Sequence, residues 1–143
     1  MYDRPTDVRR GDRVAADAPP AHRVLVIDDS KAMTELLASC LADIADVAVA
    51  HSGDEGLQRA LTFEPHVMLV DIVLPQFSGF EVVDALYRRR DGIRPKVIFI
   101  TGLREPANDY RARELGALTV LHKPLDPDQV RRAVLAALYL SPA

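Results

Sequence analysis

At 143 residues the chain has the length of one domain, enough to bury a real core, and its 48% hydrophobic and 27% charged residues suit a soluble globular protein. A net charge of −3 gives no overall electrostatic reason to bind nucleic acid, and the single Cys40 excludes an internal disulfide and a multi-cysteine metal site. No apolar run approaches the roughly 18 residues needed to cross a bilayer. The amino terminus lacks the apolar core of a signal peptide. These readings lead to an expectation of a cytoplasmic protein without membrane insertion.

Residues 1–20 hold four Asp, four Arg and three Pro and few large apolar side chains. Such a stretch buries too little surface to offset its ordering entropy. It reads as a flexible tail, with a partner-binding arm as the alternative, ahead of one folded unit over residues 21–143. Arg23 to Ile27 is a short apolar strand that runs straight into Asp28-Asp29-Ser30. Met33, Leu36, Leu37, Cys40 and Leu41 then form one stripe of an amphipathic helix, with Cys40 as a buried structural thiol. Val47 to Ala50 is a weak second strand. Ser52 and Glu55 have the spacing of a capping box, and Leu57, Ala60 and Leu61 supply the buried face behind it. His51 and His66 flank strands with no ligand partner at metal spacing and read as ordinary strand-end residues.

The stretch Val67-Met-Leu-Val-Asp71-Ile-Val-Leu-Pro75 carries four apolar residues into a carboxylate, the pattern of a buried parallel strand. Ser78 and Gly79 precede a helix marked by Phe80, Val83, Leu86 and Tyr87. Arg88 to Arg90 closes it as a basic carboxyl end. Lys96 to Ile100 is the fourth strand, ending in Thr101-Gly102. Pro106 opens a helix lined by Tyr110, Ala112 and Leu115, with Gly116 as carboxyl cap. Leu118 to Leu121 is the fifth strand and ends in His122-Lys123-Pro124. Pro127 starts a last helix to about Leu140, with Val130, Ala133, Val134, Ala137 and Leu138 as its core stripe. Leu135, Tyr139 and Leu140 lie off that stripe. They mark a partner or homodimer contact, or a frayed apolar terminus.

Five strands alternating with five helices predict an α/β fold, a doubly wound parallel sheet with right-handed crossovers. Such sheets carry their chemistry outside the carboxyl ends of the strands. Those ends supply Asp28 and Asp29, Asp71, Thr101 and Lys123. Three crowded carboxylates repel one another, and Lys123 offsets part of that charge. The ligand set is all oxygen, which selects a hard cation such as Mg²⁺. A carboxylate can act as the nucleophile and become an acyl phosphate, and Asp71, between the acidic pair and Lys123, is the best candidate. Thr101 is set to donate a hydrogen bond to a phosphoryl oxygen. Any one of these five residues alone reads equally well as a helix cap or turn former.

The combination Val-Ile-Asp28-Asp29-Ser, Asp71-Ile-Val-Leu-Pro75 with Gly79 four residues on, Thr101-Gly102 and Lys123-Pro124 strongly resembles the receiver domains of two-component response regulators, over roughly residues 22–140. The resemblance implies a flavodoxin-like five-stranded sheet in order 2-1-3-4-5, with helices on both faces. It implies that a histidine kinase or a histidine phosphotransfer protein donates a phosphoryl group to Asp71. Asp28, Asp29, Asp71 and the backbone carbonyl of Val73 would hold Mg²⁺. Lys123 would pair with Asp71 and then with the phosphoryl group, through a usually cis Lys123–Pro124 bond. Ser30 and Ala32 would lie in the phosphodonor surface. Thr101 would move toward the phosphoryl group, changing the face of the fourth helix, fifth strand and fifth helix that a downstream protein target reads.

This chain departs from the family pattern in two ways. Val120 stands where the family usually has a Tyr or Phe switch residue. Val73 and Leu103 occupy two positions that tune phosphoryl hydrolysis, and neither can orient a water. A long-lived phosphorylated state is therefore expected. The leading expectation is a single-domain, non-enzymatic regulator that promotes only its own phosphorylation and dephosphorylation, with a place in a phosphorelay as one version. The alternatives are an Mg²⁺-dependent phosphohydrolase-like enzyme with an aspartyl nucleophile, a flavin-binding flavodoxin-like protein, and a phosphorylation-independent dimer scaffold. A haloacid-dehalogenase-like enzyme would carry Asp-x-Asp after the first strand. A flavin site would need a Ser/Thr/Gly-rich loop where this chain has two carboxylates.

Overall fold

The computed structural model describes residues 22–89 and 94–139. The tail over residues 1–20, Arg90 and Leu140 lie outside them. The elements run β1 (Arg23–Ile27), α1 (Lys31–Leu41), β2 (Asp46–Ala50), α2 (Gly53–Phe63), β3 (Val67–Asp71), α3 (Gly79–Tyr87), β4 (Lys96–Thr101), α4 (Pro106–Glu114), β5 (Thr119–His122) and α5 (Pro127–Leu138). All strand pairs are parallel, in the expected order β2-β1-β3-β4-β5.

The three middle strands are apolar on both sides because both sides are covered. Leu25, Ile27, Met68, Val70, Val97 and Phe99 pack in a layer with α2 and α3. Val24, Val26, Val67, Leu69, Ile98 and Ile100 pack in the opposite layer with α1 and α5. This is the period-two alternation of a strand read onto two hydrophobic layers. Each such side chain, fully buried, contributes about 1.5–3 kcal/mol, so the sheet is rigid where it carries chemistry.

The helix phases differ from the sequence expectation in three places. On α1 the buried residues are Thr34, Leu37 and Leu41, while Leu36 is 49% exposed and Cys40 half-buried. Thr34 takes the inward position because its hydroxyl is satisfied there, donating to the Lys31 carbonyl at 3.0 Å and lying 3.0 Å from His51 Nε2. Burial pushes the Cys40 thiol up, the state of an unreactive thiol. On α2 the inward face is Gly53, Gly56 and Ala60, and Leu61 faces out. A Cβ at Gly56 would run into the side chain of Ile27, so the helix lies too close to β1 for anything larger. On α4 only Ala112 is buried, and Tyr110 points to solvent.

The helix ends also differ in detail. Ser52 caps α2 by accepting from Glu55 N, but the Glu55 carboxylate reaches the backbone N–H of His51 at 2.8 Å instead of closing a reciprocal box. The full capping box forms at α3, between Ser78 and Glu81. Gly116 caps α4 with φ +85°, as its position predicted. β5 begins at Thr119, one residue later than expected, and leaves Leu118 exposed.

Candidate functional site

The site is assembled by continuing the ladder past the strand ends. Asp28 N donates to the Ala50 carbonyl at 3.1 Å, Ile72 N to Ile100 at 2.8 Å, and Lys123 N to Thr101 at 2.8 Å. These bonds hold the first residues beyond the apolar runs in register, so their side chains meet at one edge. The Lys123–Pro124 bond is cis.

Asp71 is 4% exposed. Its Oδ1 accepts from Val73 N at 3.0 Å and its Oδ2 accepts from Lys123 Nζ at 2.9 Å. Gly79 donates its N–H to the Ile72 carbonyl at 2.8 Å, and a Cβ on Gly79 would collide with the Asp71 carbonyl. A glycine is required there by close approach of two backbones. Asp28 is fully buried. Its Oδ1 accepts from Ser30 N at 2.9 Å, and Ser30 Oγ in turn caps α1 through Met33 N. Asp28 Oδ2 is shut from solvent and lies 3.2 Å from Lys123 Nζ, an ion pair in which the ammonium is the partner it shares with Asp71.

Asp29 is exposed at the mouth of the site. Carboxylate oxygens of Asp28, Asp29 and Asp71 lie within 4.8 Å of one another. Among the described residues, the ammonium of Lys123 stands against these three carboxylates. Burial pushes the Asp71 carboxyl up, with the Asp28 charge adding to it and the hydrogen bonds from Lys123 and Val73 opposing it. Partial burial pushes the Lys123 ammonium down, but the two carboxylates outweigh this and hold it above its usual value. An oxygen-only cluster of three carboxylates with surplus negative charge fits a hard divalent cation.

Thr101 is fully buried, and its Oγ1 accepts from Leu103 N at 3.0 Å. Val73 and Leu103 are 54% and 44% exposed at the rim, with Phe77 also outward. The five residues singled out at the strand ends thus converge on the same edge as Val73. Val120 lies elsewhere, in the wall between β5 and α4, packed against the Phe99 layer. Sequence reasoning missed the supporting pair Thr34 and His51. No local signal marks that pair, because the two residues lie seventeen positions apart and meet only when α1 and β2 pack.

The fold and this group of residues define a doubly wound α/β protein with an aspartate-and-lysine acidic site at its carboxyl edge. The family model described as the response regulator receiver domain matches residues 24–135, and the chain belongs to that family. It is similar to the acid tolerance regulatory protein ActR of Rhizobium meliloti (strain 1021), with 36% identity over 125 residues, 85% of this chain and 63% of that protein. It is also similar to the alkaline phosphatase synthesis transcriptional regulatory protein PhoP of Bacillus subtilis (strain 168), with 32% identity over 117 residues, 81% of this chain and 48% of that protein. The chain therefore spans from about half to under two thirds of these curated relatives. Among solved structures it resembles a CheY-like response regulator receiver domain protein from Methanospirillum hungatei JF-1. That match has TM-score 0.76 and 26% identity, and covers 82% of this chain and 94% of that one. Among the described residues no helix is long and apolar enough to cross a membrane.

Proposed function

We propose that the chain accepts a phosphoryl group on Asp71 from a phosphohistidine of a histidine kinase or histidine phosphotransfer protein, and signals through the resulting change in its protein-binding face. The observation that carries this reading is the placement of Asp71. It is a buried carboxylate held by Lys123 Nζ at 2.9 Å and by Val73 N, beside the buried carboxylate of Asp28 that shares the same ammonium. An ionised Asp71 oxygen attacks phosphorus, the P–N bond breaks with its electron pair returning to the ring nitrogen, and the imidazole leaves neutral with the proton already carried on its other nitrogen. Lys123 stays paired to the site and meets the negative charge of the transferred group. Thr101 Oγ1, now accepting from Leu103 N, keeps its own proton to donate to a phosphoryl oxygen, which couples the loop after β4 to the site.

Asp28, Asp29 and Asp71, with the Val73 carbonyl, would hold Mg²⁺. When bound, Mg²⁺ supplies charge neutralisation on the phosphoryl oxygens. The described edge carries the all-oxygen set that such an ion takes. The output is read by a downstream protein at α4, β5 and α5, without direct nucleic-acid contact. Outside self-phosphorylation and dephosphorylation, the chain is assigned no enzymatic turnover.

Incubation with a small-molecule phosphodonor and Mg²⁺ tests the reading. Wild type gains one acid-stable, base-labile phosphoryl group and Asp71→Asn gains none. Labelling that survives Asp71→Asn refutes the site, and release of many phosphates per chain favours the phosphohydrolase alternative.

A further inference from the structure

Asp28 and Asp29 reach the site from a short turn, Asp28 to Ser30, between β1 and α1. That turn is tied at both ends to two consecutive residues, Ala50 and His51. At its start, Asp28 N donates to the Ala50 carbonyl at 3.1 Å. Beyond its end, the first turn of α1 meets the imidazole of His51, whose Nε2 lies 3.0 Å from Thr34 Oγ1. Within the turn, Asp28 Oδ1 accepts from Ser30 N, and Ser30 Oγ accepts from Met33 N. The bonds close a circuit from Ala50 through the acidic turn and α1 to His51, the next residue along the chain.

The direction of the Thr34–His51 bond follows from a proton count. A threonine hydroxyl has one proton, and Thr34 gives it to the Lys31 carbonyl at 3.0 Å. Toward His51 the hydroxyl can only accept, so Nε2 carries the hydrogen. Thr34 is buried, so solvent does not compete for the bond. His51 is itself held from α2. Its backbone N–H donates to Glu55 Oε1 at 2.8 Å, and Glu55 N donates to Ser52 Oγ at 3.1 Å. The imidazole is thus a fixed post against which α1 is set.

We propose that His51 is a positioning residue for the Mg²⁺ site, acting through Thr34 and α1 on Asp28 and Asp29. It supplies no ligand. Two carboxylates that must meet one ion bind it best when their turn is already in place, because freezing a loose turn costs affinity. Groups that orient metal ligands from behind change affinity by about 10–100-fold, and His51, a step further back, belongs at the lower end. The inference rests on the Mg²⁺ site proposed above.

The test titrates the full chain with MgCl₂ and follows the amide resonances of Asp29 and Ile72, which report folded molecules only. His51→Leu should weaken Mg²⁺ binding by about tenfold. His51→Gln, which returns an amide N–H near the place of Nε2, should restore it. Thr34→Val, of the same shape without the hydroxyl, should match His51→Leu. The double variant Thr34→Val/His51→Leu should be no weaker than either alone, the non-additivity of two halves of one bond. Wild-type affinity in His51→Leu overturns the proposal, as do additive losses in the double variant. A loss in His51→Gln equal to that in His51→Leu overturns it in favour of packing by the ring alone. A loss in Thr34→Val with none in His51→Leu overturns it in favour of the Lys31 carbonyl bond. No Mg²⁺ response in wild type removes the ion site and this proposal with it, so failure of the site is seen apart from failure of the positioning role.

Discussion

Lys123 Nζ bridges two buried carboxylates, at 2.9 Å from Asp71 Oδ2 and 3.2 Å from Asp28 Oδ2. One cation shared between two acids makes the substitutions of its partners unequal. It also explains why the Asp71 carboxyl is raised while it is ion-paired: burial and the second acid outweigh the lysine.

In metal-free buffer, Asp71→Asn leaves one buried acid for one ammonium, whereas Lys123→Gln leaves two buried acids for none, with exposed Asp29 beside them in either case. The raised Asp71 carboxyl means that its ionised form opposes folding. That cost appears as pH rises from the unfolded value of 3.8 through the higher folded one. Asp71→Asn should therefore stabilise the protein at pH 7, on the order of 1 kcal/mol, with the gain gone by pH 3. Lys123→Gln should destabilise it at pH 7 by about 2 kcal/mol, less than for a fully buried pair because the lysine is partly solvated. Urea denaturation at the two pH values checks both signs.

Gly79→Ala should cost about 1–3 kcal/mol, the range for overpacking a close contact. The new Cβ meets the carbonyl of Asp71 itself, and Val70 Cγ1 at 2.9 Å. The backbone of β3 must shift at the residue that carries the chemistry, so phosphoryl incorporation should fall more than stability alone explains. Comparing incorporation with the folded fraction in the same sample separates the two effects.

Val73 and Leu103 present apolar, exposed side chains at the mouth of the site. Neither can hold a water for attack on an acyl phosphate. Val73→Asn with Leu103→Glu should speed loss of the phosphoryl group by on the order of tenfold or more, as positioned polar groups do in hydrolysis. Decay of labelled protein measures it, and fast wild-type decay unchanged by the double substitution rules the idea out.

His66 Nδ1 accepts the Arg23 N–H at 2.9 Å, a bond that requires the unprotonated nitrogen. Burial, with the charges of Arg23 and His22, holds its pKa below the ordinary 6.5. The contribution of this bond is thus full above pH 6.5 and fades as pH falls through the depressed folded value. Stability should decline between pH 7 and pH 5 with a slope of at most about one proton. His66→Gln should flatten that slope in chemical denaturation.

The sequence by itself determined the alternation of strands and helices. It also determined which residues end each strand, because apolar runs, glycines and prolines are local signals that need no neighbour to interpret. In a doubly wound sheet those ends share an edge, so the meeting of Asp28, Asp29, Asp71, Thr101 and Lys123 was legible before any coordinates. Helix phase was less legible. Thr34 displaced Leu36 from the core because His51, seventeen positions away, meets its hydroxyl. Gly56 and Gly53 rather than Leu61 face inward because α2 lies against Ile27 of β1 at the first and against Phe77 and Val82 at the second. Only the tertiary structure decided the ionic balance at Asp28 and Asp71, the sharing of Lys123 between them, and the close approach of Gly79 to the Asp71 carbonyl. Each depends on distances between groups separated in the chain, and periodicity along the chain carries no information about those distances.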